Sequence, residues 1–355
     1  MAFNPTSFRP HPLFTHAHAQ TIGGTLLPRP YGDVDGWRAA AEERVFALAD
    51  GDRLRGLLHC PPGAERGPLV VVMHGLEGDS DSQYVWGLSL KAFRLGVASL
   101  RLNLRNCGGT EHWGRRLYNS DMIGDLRHVF DAMRAEGYTA VLPVGVSLTA
   151  NMLLRLLGVM GTDAPDWLWG AVAMSPPIDL AHAGVSLGSG FNRLYNLYFL
   201  LQLREKVRRK AEIWPDDAAL AEYATRARRA RTLWEFDDWV TAPEGGFRDA
   251  QDYYARTSSA ELLGHIRVPT LIIHAQDDPF IPYAMFERRA ALIAGNPCLT
   301  TLYPERGGHV GFFESPFAPQ AEPWMDAYWA ENQAIAYLRA LIGDRAAYTH
   351  QVIIT

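Results

Sequence analysis

The chain has 355 residues, 48% of them hydrophobic and 21% charged, with a formal net charge of −5. That length suits one large α/β domain with an insertion, or two domains, and the acidic balance argues against a nucleic-acid partner. Cys60, Cys107 and Cys298 are too few and too scattered for a disulfide framework or a zinc site. A reducing, cytoplasmic setting is therefore expected: the N-terminus lacks a signal-peptide pattern, and no apolar run reaches the ~20 residues of a membrane span.

Residues 1–40 are rich in Pro, His and Gly with little periodicity, and read as an arm lying over the domain. Segments 43–48 and 53–59 flank Asp50-Gly51-Asp52, a hairpin signal, and predict an antiparallel pair at a sheet edge. Residues 68–73 form a continuous apolar run of the kind buried on both faces of a parallel sheet. The run ends in His74-Gly75-Leu76-Glu77-Gly78, a turn able to aim backbone N–H groups inward. His74 reads as structural, and Glu77, Asp79 and Asp81 as a solvated loop rather than metal ligands. A helix over 84–95 and a strand over 97–102 follow, then a glycine-rich loop over 103–110 in which Cys107 reads as a buried thiol. Ser120 is the expected N-cap of the next helix.

An apolar run from Val141 stops at Gly145, Ser147 follows, and helix-prone residues continue over 151–157. A serine on such a strand–turn–helix stands clear of the sheet and is a candidate nucleophile; the alternative is an ordinary serine at a junction. Two features depart from the usual Gly-x-Ser-x-Gly. Pro143 sits in the incoming strand, and Thr149 replaces the last glycine. A β-branched side chain there must push the helix outward or find its own niche.

Another strand over 171–174 extends the alternation of strand and helix, which predicts a doubly wound, mostly parallel sheet with its site beyond the strands' C-terminal ends. Residues 178–263 break the rhythm and read as a helical cap insertion. Within it, Phe191, Leu194, Tyr195, Tyr198 and Phe199 are candidates for an acyl pocket, the alternative being a helix docked on the core. The basic runs at 204–210 and 226–231 read as solvated helix faces. A strand over 268–274 leads to Asp277 and Asp278, of which Asp278 is the better placed carboxylate because Pro279 and Pro282 fix the turn after it; Asp179 is the runner-up. A last strand over 299–303 leads to His309 on a glycine-rich loop, and a final helix lies near 327–342. Ser147, Asp278 and His309 thus follow one another, each just past a strand, in an order that suits nucleophile, orienting acid and general base.

Several stretches together resemble the YheT-like family of α/β-hydrolases over nearly the whole chain. They are His18-Ala19-Gln20-Thr21, the 74–78 turn, the 103–109 loop, Gly145-Val146-Ser147-Leu148, Glu235-Phe236-Asp237-Asp238 with Thr241-Ala242-Pro243, Asp252-Tyr253-Tyr254, Asp277-Asp278-Pro279-Phe280 and Gly308-His309. The resemblance implies a single α/β-hydrolase domain over 1–355, with a twisted, mostly parallel sheet of about eight strands flanked by helices. It also implies a serine esterase or lipase acting on acyl esters without metal or cofactor, with the N–H groups of Leu76 and Leu148 as oxyanion donors. Thr149-Ala150 departs from the family's usual Gly-Gly. The expected partner is a small-molecule or lipid ester, with transient membrane-surface contact and no transmembrane segment. An acyltransferase with the same triad and a non-catalytic binder of lipophilic ligands are the alternatives.

Overall fold

The computed structural model describes residues 3–353 apart from 28, 30–33, 317, 319 and 321, with side chains described to 345. Its strands are β1 (Glu42–Ala47), β2 (Arg53–His59), β3 (Pro68–Met73), β4 (Ala98–Leu102), β5 (Ala140–Val146), β6 (Ala171–Met174), β7 (Thr270–Ile273) and β8 (Leu299–Leu302). They form one eight-stranded sheet in the order β1-β2-β4-β3-β5-β6-β7-β8. β1 and β2 pair antiparallel, as do β2 and β4; every later pairing is parallel. The expected edge hairpin is present, with Gly51 at φ 88° in its turn.

The central strands read as unbroken apolar runs because both of their faces are covered. Leu69, Val71 and Met73 of β3 enter one core, while Val70 and Val72 enter the other. α4 (Ile123–Ala135) and α5 (Leu148–Met160) close the first face through Leu126, Phe130, Leu153 and Leu157. α3 (Gln83–Arg94) and the C-terminal helix Trp329–Ile353 close the second through Val85, Leu88, Ile335 and Leu338. Each such buried side chain stabilises the fold by about 1.5–3 kcal/mol. Pro143, which lacks an N–H, is tolerated in β5 because pairing with β6 is confined to Val144–Val146.

Four local expectations are corrected. Residues 1–40 carry two helices, α1 (Ala17–Leu26) and α2 (Val34–Ala39). Ser120 does not cap α4, whose N-cap residue is Met122. The Ser120 hydroxyl is instead taken by Asn151 Nδ2 at 3.0 Å, and its N–H donates to Tyr253 Oη at 2.9 Å. The 204–210 run is not a separate solvated helix, since it continues from the aromatic segment in one helix, α7 (Arg193–Ile213). Lys206 and Lys210 turn inward from it, because buried oxygens wait there: Lys210 Nζ donates to Asn106 Oδ1 at 2.7 Å and to the Gly114 carbonyl, and Lys206 Nζ pairs with Glu77 at 2.8 Å. That second pair, with Asp81 bonded to Arg38 and Arg101, also makes the 77–81 loop an ion-paired segment rather than a solvated one. α7 lies between β6 and β7 with α6 (Leu180–Leu187), α8 (Ala218–Arg229) and shorter turns that include a π-helical one, Asp237–Thr241.

The C-terminal helix is also held by buried charge. Glu331 accepts from both Nη atoms of Arg29, at 2.6 and 2.8 Å, and from Lys91 Nζ at 2.8 Å. Removing one member of a buried ionic group strands its partners. Glu331→Ala should therefore lower the unfolding free energy by ~3–5 kcal/mol in urea titrations.

Candidate active site

Ser147 stands where β5 passes into α5. Its φ of 54° and ψ of −116° lie outside the regions that L-residues favour, so the surrounding structure must hold it there. Two close approaches do so. A Cβ on Gly145 would sit 2.6 Å from the Thr149 carbonyl oxygen, and one on Gly75 would sit 3.0 Å from the Ser147 Cβ. The strand, the helix and the 74–78 turn therefore meet around this serine with no space to spare.

Thr149 finds a niche. Its Oγ1 accepts the Val146 N–H at 2.9 Å and lies 3.0 Å from the Met73 carbonyl, to which it donates. The β3–β5 pairing ends at Met73 and Gly145, so this hydroxyl bridges the two strands just past their last paired residues.

Ser147 Oγ is 3.0 Å from His309 Nε2, and His309 Nδ1 is 2.8 Å from Asp278 Oδ2. Asp278 is buried, and its Oδ1 accepts the N–H groups of Phe280 and Ile281 at 2.8 and 3.0 Å. Burial alone would raise this carboxyl, but the His309 charge and hydrogen bond hold it below its ordinary value. Asp277 serves the same loop differently, accepting the Gly308 N–H at 2.9 Å. Asp179 is apart from this set, capping α6 through the His182 N–H at 3.0 Å.

The Gly75 and Glu77 N–H groups donate to Tyr84 Oη and Tyr118 Oη. Between them, the Leu76 N–H has no acceptor among the described residues, nor has that of Leu148 at the start of α5. His74 is fully buried, with Nδ1 donating to the Gly75 carbonyl at 2.8 Å and Nε2 accepting the Leu104 N–H at 3.0 Å; burial pushes its pKa down to about 4. Burial pushes the Cys107 thiol up to about 11. No group of three or more His, Cys, Asp or Glu side chains suited to a metal ion occurs among the described residues.

Ser147, Leu76, Leu148 and His309 open on a mostly apolar cavity of about 620 Å³. All five aromatic and apolar candidates of the insertion line it, in two groups. Tyr195 and Phe199 pack on Phe280, whose ring lies 4.6 Å from that of His309. Phe191, Leu194 and Tyr198 are 55%, 59% and 60% exposed and sit at the mouth. On α7, Tyr195 and Phe199 thus pack against the core while Leu194 and Tyr198 stand exposed along the cavity. Sequence reasoning missed Phe280, although it belongs to the Asp277-Asp278-Pro279-Phe280 stretch. It also missed the contribution of Thr21, Ile22, Thr25 and Leu26 of α1 to the cavity wall, for which His18-Ala19-Gln20-Thr21 was the available signal.

The Thr149 bridge is open to test. Thr149→Val keeps the shape but orphans the buried Val146 N–H, which costs about 1–3 kcal/mol of stability in denaturant titration. Thr149→Ser should keep the bridge and most of that stability.

Comparison with known proteins agrees with this architecture. A family model described as the alpha/beta hydrolase fold matches residues 68–316. The YheT esterase of Escherichia coli is 33% identical over 307 residues, covering 86% of each chain. A monoacylglycerol lipase of Saccharomyces cerevisiae is 26% identical over 252 residues, which is 70% of this chain and 55% of the yeast protein. Among solved structures, an esterase of Pyrococcus furiosus superposes with a TM-score of 0.56 at 14% identity, covering 96% of this chain and 99% of its own. The chain belongs to the α/β-hydrolase family, among the YheT-like esterases and lipases.

Proposed function

We propose that this esterase/lipase-type hydrolase cleaves lipophilic acyl esters through a Ser147–His309–Asp278 triad and an acyl-enzyme. The observation that carries the reading is the unbroken hydrogen-bonded line from Asp278 through His309 to a serine oxygen that faces an apolar cavity. Ser147 Oγ attacks the ester carbonyl carbon while its proton passes to His309 Nε2. The N–H groups of Leu76 and Leu148 receive the developing oxyanion, a contribution worth roughly 3 kcal/mol per donor. The carbonyl–oxygen bond to the alcohol then breaks, and His309 returns the proton to the departing alkoxide. Water repeats the sequence on acyl-Ser147 and frees the acid. Asp278 holds the Nδ1–H tautomer and stabilises the imidazolium. The chemistry assigned to these residues requires no cofactor.

The cavity wall suits an acyl chain, and Ile22, Leu26, Phe191, Leu194 and Tyr198 carry the same apolar character out to an exposed rim. A substrate arriving from a lipid surface would meet apolar side chains at that rim. No described helix is long and apolar enough to cross a membrane. In this reading residues 178–263 act as a cap on a single hydrolase domain, and the protein works in the cytoplasm.

Ser147→Ala should abolish both ester hydrolysis and fluorophosphonate labelling in a folded protein, a loss on the order of 10⁶ in turnover. Labelling that survives in this variant would point to another nucleophile.

Asp278→Asn should cost about 10⁴ in kcat. Asp277→Asn, whose partner is a backbone N–H, should cost far less. Equal losses in the two would sink the assignment of Asp278.

With p-nitrophenyl esters of increasing length, kcat/KM should rise several-fold per methylene, following about 0.8 kcal/mol for each buried CH₂. Leu194→Ser and Tyr198→Ala should flatten that rise and spare the acetate. Uniform losses at every chain length would mean that these side chains hold the helix rather than the substrate.

A further inference from the structure

The His309 loop is also held by a segment 288 to 293 residues earlier in the sequence. α1 lies directly against it. The Thr21 hydroxyl accepts the His309 backbone N–H at 2.9 Å and donates to the Ala17 carbonyl at 2.9 Å, so one oxygen ties the helix backbone to the histidine backbone. The neighbouring Gln20 is fully buried and grips the far side of the loop. Its Oε1 accepts the Phe313 N–H at 2.6 Å, and its Nε2 donates to the carbonyls of Phe313 and Phe14 at 3.0 and 2.7 Å.

The two segments touch backbone to backbone. A Cβ added to Gly308 would sit 2.5 Å from the Ala17 carbonyl oxygen, and one on Gly311 would sit 2.3 Å from that of Gln20. Between these glycines, Val310 holds φ at 60°, and Phe312 follows at 42°. A β-branched and a bulky residue remain in the left-handed region only where their surroundings over-determine them. α1 is part of those surroundings, together with Ser175, whose Oγ accepts the Val310 N–H at 3.3 Å, and Phe8 and Trp329, whose rings flank Phe312.

His309 is therefore fixed at three points: Asp278 holds Nδ1, Phe280 covers the ring face, and Thr21 holds the backbone N–H. The carboxylate alone leaves the ring free to pivot about that one bond. The backbone contact sets where the pivot sits, and so how far Nε2 lies from Ser147 Oγ. We infer that Thr21 is a positioning residue for the proposed general base, and that α1 is a working part of the active site rather than a covering arm. This inference rests on the reading of His309 as that base.

The test uses the full chain with Thr21→Val, Thr21→Ala and Thr21→Ser, assayed on p-nitrophenyl acetate. Melting temperature and the low-field proton resonance of the His309–Asp278 hydrogen bond are recorded alongside. Misplacement of a reacting group by about 1 Å can cost 10²-fold, so Val and Ala should lower kcat ~10–100-fold, with KM changed less than ~2-fold. Their low-field resonance should broaden or vanish. Ser, which keeps the acceptor, should retain kcat within ~3-fold of wild type and keep the resonance. Ala introduces no clash and serves if Val fails to fold. Wild-type kcat in the Ala variant would overturn the inference. So would a Ser variant as impaired as Ala, a rise in KM alone, or a lower melting temperature with kcat unchanged. If the wild type turned over no ester, the functional reading would fall separately. The resonance would still decide the positioning role, which an unchanged signal in Thr21→Ala would overturn.

Discussion

The site depends on one crowded point, where a serine with a left-handed backbone is trapped between a strand that has run out of partners and a helix that begins at once. Gly145 and Gly75 are required because neighbouring backbone and Ser147 itself occupy the space a side chain would need. Ser147 can be held in that conformation because β5 is buried along its whole length and bonded on both sides, so the strain falls on a part of the chain that cannot relax. The parallel sheet does the rest. It delivers the ends of β3, β5 and β7 to one edge, so that a turn, a serine and a carboxylate arrive together from distant parts of the chain.

Thr149 shows how such a point can accept a residue that its pattern disfavours. A glycine there would avoid the contact, whereas threonine uses it, placing a hydroxyl at the end of the β3–β5 ladder. The β-branch fits because the oxygen, not a methyl group, faces the strand ends. The reading of this site from sequence foresaw that choice between displacement and niche, but volume alone could not decide it. The deciding quantity was a pair of backbone groups left over where two strands part.

The sheet was legible wherever burial wrote a period into the chain. Runs such as Val70–Val72 and Val141–Leu142 identify a strand covered on both faces, and Asp50-Gly51-Asp52 identifies the hairpin at its edge. Legibility failed where one long-range partner outweighed a local preference. Ser120 has the chemistry of a helix cap, yet Asn151 takes its hydroxyl. Lys206 and Lys210 look solvated within a basic run, yet buried oxygens from the loops after β3 and β4 draw them inward. The arm looked irregular because Gly23 and Gly24 dilute a helical signal; those glycines are there so that α1 can lie against Phe14 and Gly311. In the site, the strand-end positions of Ser147, Asp278 and His309 could be read from order and turn chemistry. The support of His309 by Phe280 and Thr21 could not, because neither residue type has a preference that names its partner.

The bond between Gln20 and Phe313 joins residues 293 positions apart, and that between Thr21 and His309 spans 288. This separation has a consequence in time. On a ribosome adding roughly 5–20 residues per second, α1 emerges tens of seconds before the loop it must dock against. Until then Gln20 and Thr21 lack the partners that the histidine loop supplies. The sheet can assemble through β7 and β8 in that interval, since all eight strands precede the histidine loop in the sequence. Only after that can the histidine loop and the first helix close on each other. The two segments act as a clasp that shuts only once the loop has been made, and until then Ser147 lacks the histidine that meets it at 3.0 Å.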